Sequence, residues 1–346
     1  MDENIISFTS FGLVVLDEIR FPDRKPLTNL LGGSGAYATL GARLFLPSPL
    51  SRSLAWPIHV GNDFPDSIAA LLHSWDTTLM IARKSDQPST RGLLEYQDTT
   101  FGPKSFKYTT PILAIQKSNL QSTALLTSKV YHHLASPQDM RTRVMDILTL
   151  REEMGISTRP LIIWEPAPLS CKPENLEEFL AVAALVDVFS PNHLELAAIC
   201  GIHEPVFNKA GIEALAMKFR ASGIGPEGTG AVVVRAGENG CFVLCSLISQ
   251  WLPPFYTTEM IEGQASKVID PTGAGNAFLG AFSIGYLQTG GNIMEAACYG
   301  SVAASFELEQ VGMPEKSNEG YEELWNGVSV LRRLHEYRAR LGVVAT

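Results

Sequence analysis

Between Thr123 and Phe189 the chain alternates short apolar runs with longer amphipathic ones. Val130–Leu134 predicts a strand and Arg141–Met154 a helix. Leu161–Trp164 predicts a strand closed by Glu165 and Pro166, Leu176–Leu185 a helix, and Val186–Phe189 a further short strand. Strand-then-helix repetition with apolar strands demands a mostly parallel sheet covered by helices on both faces, an α/β architecture. His132 and His133 then point to opposite sides of one strand and cannot chelate together. Ile5–Val15 reads as a first strand. Residues 90–108 alternate around a turn near Gly102 and Pro103, which predicts a hairpin. Glu295–Glu307 reads as an Ala-rich helix and Glu322–Leu341 as a charged terminal one. No linker-like tract divides the 346 residues, so one domain spanning 1–346 with a small accessory element is expected.

The stretch Asp270-Pro271-Thr272-Gly273-Ala274-Gly275-Asn276 carries the chemistry. It follows Ser266–Ile269, which ends like a strand. It precedes a helical pattern in which Phe278, Ala281, Phe282, Gly285 and Tyr286 share a face. Unpaired N–H groups and the positive end of the helix dipole converge where such a helix begins. Gly273 and Gly275 remove Cβ atoms there, so the backbone can close around an anion. A phosphate site is expected. At Asn276 an amide can orient a hydroxyl but has no basic lone pair with which to take its proton.

These residues resemble the C-terminal signature of the PfkB (ribokinase-like) sugar and nucleoside kinases, whose motif ends in the Asp that serves as base. The Asn276 variant is similar to a fungal branch of that family. The resemblance runs in order from Ile5 to about Gly312. It implies a ribokinase-like fold, a mostly parallel sheet with helices on both faces. A small β-lid would be built from about 88–110 and from about 16–30. It implies ATP and Mg²⁺ as cofactors and a small-molecule acceptor as partner. Gly273, Ala274, Gly275 and Asn276 take the catalytic positions. Asp17, the glycine turn Gly32-Gly33 and Tyr37 line the acceptor side, where Tyr37 replaces the family's Asn and offers a hydroxyl and an apolar face. Arg91, on the expected hairpin, could meet anions there. Asn192 and Glu195 resemble the family's Pro-Asn-x-x-Glu element, which holds Mg²⁺ through water, although Asn-x-x-Glu is also an ordinary capping box. Arg235, Gly237, Gly240 and Thr272 fall at nucleotide-contact positions, with Arg235 in place of a hydroxyl residue. Asp63 reads as structural.

The net charge of −9 argues against general nucleic-acid binding. No apolar run approaches the ~20 residues of a membrane span. The five cysteines read as buried free thiols in a reducing compartment. With no signal-like start, a cytoplasmic protein is expected. The resemblance also allows a homodimer clasped through the lid. Three readings stay open: a kinase slowed by loss of its base, a pseudokinase acting through protein partners, and altered chemistry on the same scaffold. On the sequence alone, Asn276→Asp separates the first two, because a restored acid restores a kinase.

Overall fold

The structure is a computed structural model that describes residues 5–98, 104–121, 123–202, 206–257 and 267–342. Strand β1 (Phe8–Ser10) opens the chain, and β2 (Val15–Arg20) and β3 (Leu27–Gly32) lead into helix α1 (Ser34–Leu44). Next come β4 (Leu54–Val60), α2 (Asp66–Ser74) and β5 (Thr78–Arg83), then β6 (Arg91–Tyr96) and β7 (Lys104–Tyr108). Strands β8 (Val130–Ala135), β9 (Leu161–Pro166) and β10 (Val188–Phe189) alternate with α3 (Pro137–Glu153) and α4 (Leu176–Ala183). Helices α5 (His193–Ile199) and α6 (Lys209–Ser222) precede β11 (Ala231–Arg235), β12 (Cys241–Leu244) and β13 (Ser249–Leu252). The chain ends through α7 (Ala274–Gln288), α8 (Ile293–Glu307), the hairpin β14 (Lys316–Glu319) and β15 (Glu322–Trp325), and α9 (Val330–Arg340).

Nine strands form one sheet in the order β13-β12-β11-β10-β9-β8-β1-β4-β5. Every pairing from β5 across to β11 is parallel, and β12 and β13 add an antiparallel edge. The strands read as continuous apolar runs because both faces are covered. On one face, side chains of α1, α7 and α8, among them Phe278, Phe282 and Phe306, pack against Phe8 and Trp56. On the other, Trp164 and Phe189 of the sheet meet Phe179 of α4 and Phe219 of α6 in stacked or tilted pairs. Burying each such ring contributes on the order of 2–3 kcal/mol relative to leaving it in water. Helices α1 and α7 cross at small residues. A Cβ on Gly280 would lie 1.8 Å from the Ala38 carbonyl oxygen, and one on Gly41 would lie 2.0 Å from that of Ala277.

A second sheet has the order β3-β2-β6-β7, with β2 and β6 parallel and both outer pairings antiparallel. The turn expected near Gly102 and Pro103 lies outside the described residues. No helix among the described residues is long and apolar enough to cross a membrane.

Three local expectations need correction. The expected strand Ile5–Val15 is two pieces: β1 ends at Ser10, and Val15 already belongs to the small sheet. The break falls at Gly12, where a Cβ would sit 2.3 Å from the Gly35 nitrogen, so the chain bends to let α1 approach. The expected terminal helix Glu322–Leu341 is a strand followed by a shorter helix. Gly327 adopts a positive φ, and Ser329 caps α9 through its hydroxyl. Ahead of Asp270, residues 267–269 form no strand; Ile269 N–H instead donates to the Leu308 carbonyl at the end of α8.

Candidate active site

Ligands of open α/β sheets bind beyond the carboxyl ends of the strands, and that edge here is polar. Glu165 is the penultimate residue of β9 and Arg235 the last of β11, with β10 between them. Both are buried, at 4% and 8% exposure. Arg235 Nη1 lies 2.7 Å from Glu165 Oε1, and its Nη2 donates to the Ser190 carbonyl at 2.9 Å. Arg235 Nε is buried and meets no acceptor among the described residues.

The N-terminus of α7 faces this pair. Gly273 caps the helix at φ 83°, a left-handed conformation that glycine adopts without strain. Gly275 lies directly under the guanidinium: a Cβ there would come 2.4 Å from Arg235 Nη1. A fixed cation therefore stands over the positive end of a 15-residue helix. The missing Cβ at Gly275 is what lets the Arg235 head, paired with Glu165, lie against the helix start, and guanidinium and helix dipole together favour an anion at this edge. The next residue, Asn276, donates from Nδ2 to Glu165 Oε2 at 2.5 Å. His132 Nε2 lies 3.3 Å from the same oxygen, and the opposite ring nitrogen is 3.2 Å from Ser10 Oγ. His133 instead stacks on Phe11 on the other side of β8. Burial works to raise the Glu165 pKa, but the Arg235 charge and the His132 contact outweigh it and hold the carboxyl below its ordinary value.

Asn192 and Glu195 make the capping box of α5. Asn192 Oδ1 accepts from the N–H groups of Leu194 and Glu195, and Glu195 Oε2 accepts from Asn192 N–H. Glu195 Oε2 is also 3.6 Å from Arg235 Nη2. Burial pushes the Glu195 carboxyl up to about 7, against the opposing pull of Arg235. No group of three or more His, Cys, Asp or Glu side chains poised to hold a metal occurs among the described residues. A divalent ion here would take most of its ligands from phosphate oxygens and water, the usual habit of Mg²⁺.

On the far side of the turn the Tyr37 ring lies against Gly273, where a Cβ would come 2.2 Å from the ring carbons. Tyr37 is 5% exposed, and burial, reinforced by the nearby carboxyl groups of Glu307, Asp17 and Asp270, raises its phenol well above the ordinary value. Asp17, on β2, nests between strands. Cβ atoms on Gly32 and Gly92 would strike its two carboxylate oxygens. Gly33 opens α1 at φ 94°. Thr272 N–H donates to Asp270 Oδ1, and its hydroxyl lies 3.3 Å from Tyr96 Oη.

The structure thus brings Gly273, Ala274, Gly275, Asn276, Thr272, Tyr37, Arg235, Asn192 and Glu195 to one neighbourhood, with Asp17 and Gly32 bordering Tyr37. Gly237 and Gly240 form the positive-φ turn just beyond Arg235. Arg91 points elsewhere. It pairs with Leu16 on the strand, one residue out of step with Asp17 and Gly92, and so faces the opposite side of the small sheet. Its guanidinium holds Asp63 Oδ2 at 2.7 Å and Asn29 Oδ1 at 3.0 Å. Burial alone would raise Asp63, but the Ser89 N–H and Arg91 outweigh it and bring its pKa to about 2, so Asp63 has a structural task.

Sequence reasoning left Glu165 without a role. The available signal was an acid followed by proline at the carboxyl end of an apolar parallel strand, the edge where such sheets bind ligands.

Residues 26–319 match the family described as pfkB family carbohydrate kinase. An uncharacterized protein of Schizosaccharomyces pombe is 34% identical over 96% of this chain and 92% of its own length. Protein MAK32 of Saccharomyces cerevisiae is 28% identical over the same shares. Among solved structures, an Escherichia coli protein assigned as a ribokinase II, in complex with ATP and Mg²⁺, superposes with a TM-score of 0.66 at 16% identity. The match covers 96% of this chain and 99% of that one. The architecture is ribokinase-like.

Proposed function

Because the chain belongs to the pfkB family of carbohydrate kinases, we propose that it is an ATP-dependent phosphotransferase acting on a hydroxyl group of a sugar, nucleoside or related small molecule. The observation that carries this reading is the start of α7, with Arg235 fixed across Gly275 by Glu165 and Ser190. Phosphoryl transfer proceeds through a loose transition state, so positioning and charge stabilisation do most of the work. Backbone N–H groups of Gly273, Ala274 and Gly275 face the transferring group, and Arg235 neutralises phosphate oxygens. Glu195 and Asn192 would hold Mg²⁺ through water, and the ion would supply positive charge to the phosphates. Thr272, Gly237 and Gly240 border the nucleotide. Asp17, Gly32, Gly33 and Tyr37 border the acceptor, and the small sheet serves as the lid. The outer edges of β3 and β7, which have no strand partner among the described residues, are where a second copy would clasp it.

One observation favours a second reading. The Tyr37 ring fills the space beside Gly273 where an acceptor would approach the turn, as a pseudokinase that binds nucleotide and acts through protein partners would allow. An ADP-release screen of the purified chain with ATP–Mg²⁺ across sugars, polyols and nucleosides separates the two. Acceptor-dependent release is expected for the kinase. Nucleotide binding with no release on any acceptor replaces it with the pseudokinase.

A further inference from the structure

Asn276 is neutral in a place where an acid would suit the reaction, and its neighbour accounts for that. Its amide donates to Glu165 Oε2 at 2.5 Å. An Asp at position 276 would set a second carboxylate against that oxygen in a buried site, and two carboxylates so close cannot both ionise. An amide beside the carboxylate is the complementary arrangement: one group donates and the other accepts.

None of the other acids around the turn, Asp270, Glu195, Asp17 and Glu307, shares a hydrogen bond with Asn276 among the described residues, and burial raises the Glu307 carboxyl well above its ordinary value. Asp270 Oδ1 turns back to Thr272 N–H, Glu195 caps Asn192, and Asp17 nests in the small sheet. Glu165 is the carboxylate in contact with residue 276 among the described residues. Arg235, His132 and Asn276 occupy three of the roughly four acceptor positions of a carboxylate, which leaves one.

We propose that the acid of this site is Glu165, displaced from the start of α7 to the end of β9, and that it takes the acceptor's proton while Asn276 orients it. This rests on the phosphotransferase reading above. In the step, the acceptor hydroxyl oxygen forms a bond to the γ-phosphorus. The bond from that phosphorus to the β–γ bridging oxygen breaks, and its electron pair leaves with ADP. The hydroxyl proton passes to the Glu165 carboxylate, which returns it to solvent once the phosphate ester departs. The Arg235 charge keeps Glu165 ionised, and hence able to accept, at neutral pH.

The pairing also changes what Asn276→Asp should do. Added alone, the new acid meets Glu165, so the single substitution lowers stability and does not raise turnover. Three variants test the proposal: Glu165→Gln, Asn276→Asp, and the two combined. Each is read by melting temperature without nucleotide, by ATP–Mg²⁺ calorimetry, and by ADP release with the acceptor that wild type uses. Glu165→Gln is expected to cut ADP release at saturating ATP–Mg²⁺ by about 10²–10⁴-fold, with calorimetry reading separately any loss of affinity from the freed Arg235. Asn276→Asp is expected to melt below wild type. The double variant returns one acid to the site, so it should melt above Asn276→Asp and release ADP faster than Glu165→Gln. If Glu165→Gln does not fold, the comparison of Asn276→Asp with the double variant decides.

Wild-type turnover in Glu165→Gln overturns the base role. So does a stable Asn276→Asp that gains activity with Glu165 in place. Wild type without turnover on any acceptor overturns the phosphotransferase reading and the base role together, and the melting temperatures then still report whether the two residues form a one-charge pair.

Discussion

Glu307 ends α8 as a fully buried carboxyl, and neither of its oxygens meets a hydrogen-bond partner among the described residues. Burial raises its pKa well above the ordinary carboxyl value, and the nearby Asp270 adds to the shift. The sign of the consequence follows from proton counting. As pH rises past the usual carboxyl range, the unfolded chain gives up this proton while the folded chain keeps it. Stability therefore falls with rising pH until the folded carboxyl itself titrates. Glu307→Gln removes that slope: its melting temperature should match wild type near pH 4 and exceed it by a growing margin toward pH 8. Parallel melting curves across that range would show that the carboxyl is not held protonated. The same burial logic governs the site, where Arg235, helped by His132, offsets the burial of Glu165 and holds its carboxyl below the ordinary value. Removing one member of such a pair typically costs about 3–5 kcal/mol, which is why the tests of Glu165 keep the side chain's shape and read stability beside activity.

At the scale of elements, the site depends on how closely α7 approaches its neighbours. Gly280 and Gly41 let α7 lie directly on α1, and the atoms in the way of a Cβ are backbone carbonyls that cannot swing aside. Gly280→Ala should therefore destabilise the fold by about 1–3 kcal/mol in urea titration, a cost absent at Gly211, exposed on α6, where a Cβ would meet only ordinary contacts with Asn208. Much of this architecture was legible in the order of apolar runs. The period of the residues after Gly275 marked a helix, and the repeats between Thr123 and Phe189 marked a parallel sheet. What stayed hidden were features set by distant neighbours. Gly12 breaks the first strand only because Gly35 lies against it, and Ser329 starts a helix inside a segment whose charges look helical throughout. The capping box of Asn192 and Glu195 was visible as a pattern, but its approach to Arg235 was not, since 40 or so residues of helix and loop separate them. Glu165 escaped for the same reason: its partners come from β8, β11 and α7.

Over the whole molecule, two sheets and one helix start share a single edge. The nine-stranded sheet brings Glu165 and Arg235 to its carboxyl end, α7 aims its N-terminus at them, and the small sheet places Asp17 beside Tyr37 on the opposite flank. The C-terminal hairpin locks α1 from behind through Arg43, which is fully buried and bonds both oxygens of Glu323 at 2.6 Å. The central claim is that the start of α7 under Arg235 receives the phosphates of a nucleotide. Calorimetry of ATP–Mg²⁺ on wild type and on Gly275→Ala tests it most directly, because the added methyl collides with the Arg235 head that Glu165 and Ser190 hold in place. Saturable binding to wild type, with affinity at least tenfold weaker in Gly275→Ala at an unchanged fold — a loss of about 1.4 kcal/mol — is the predicted result. No binding to wild type, or equal binding to both, would contradict it.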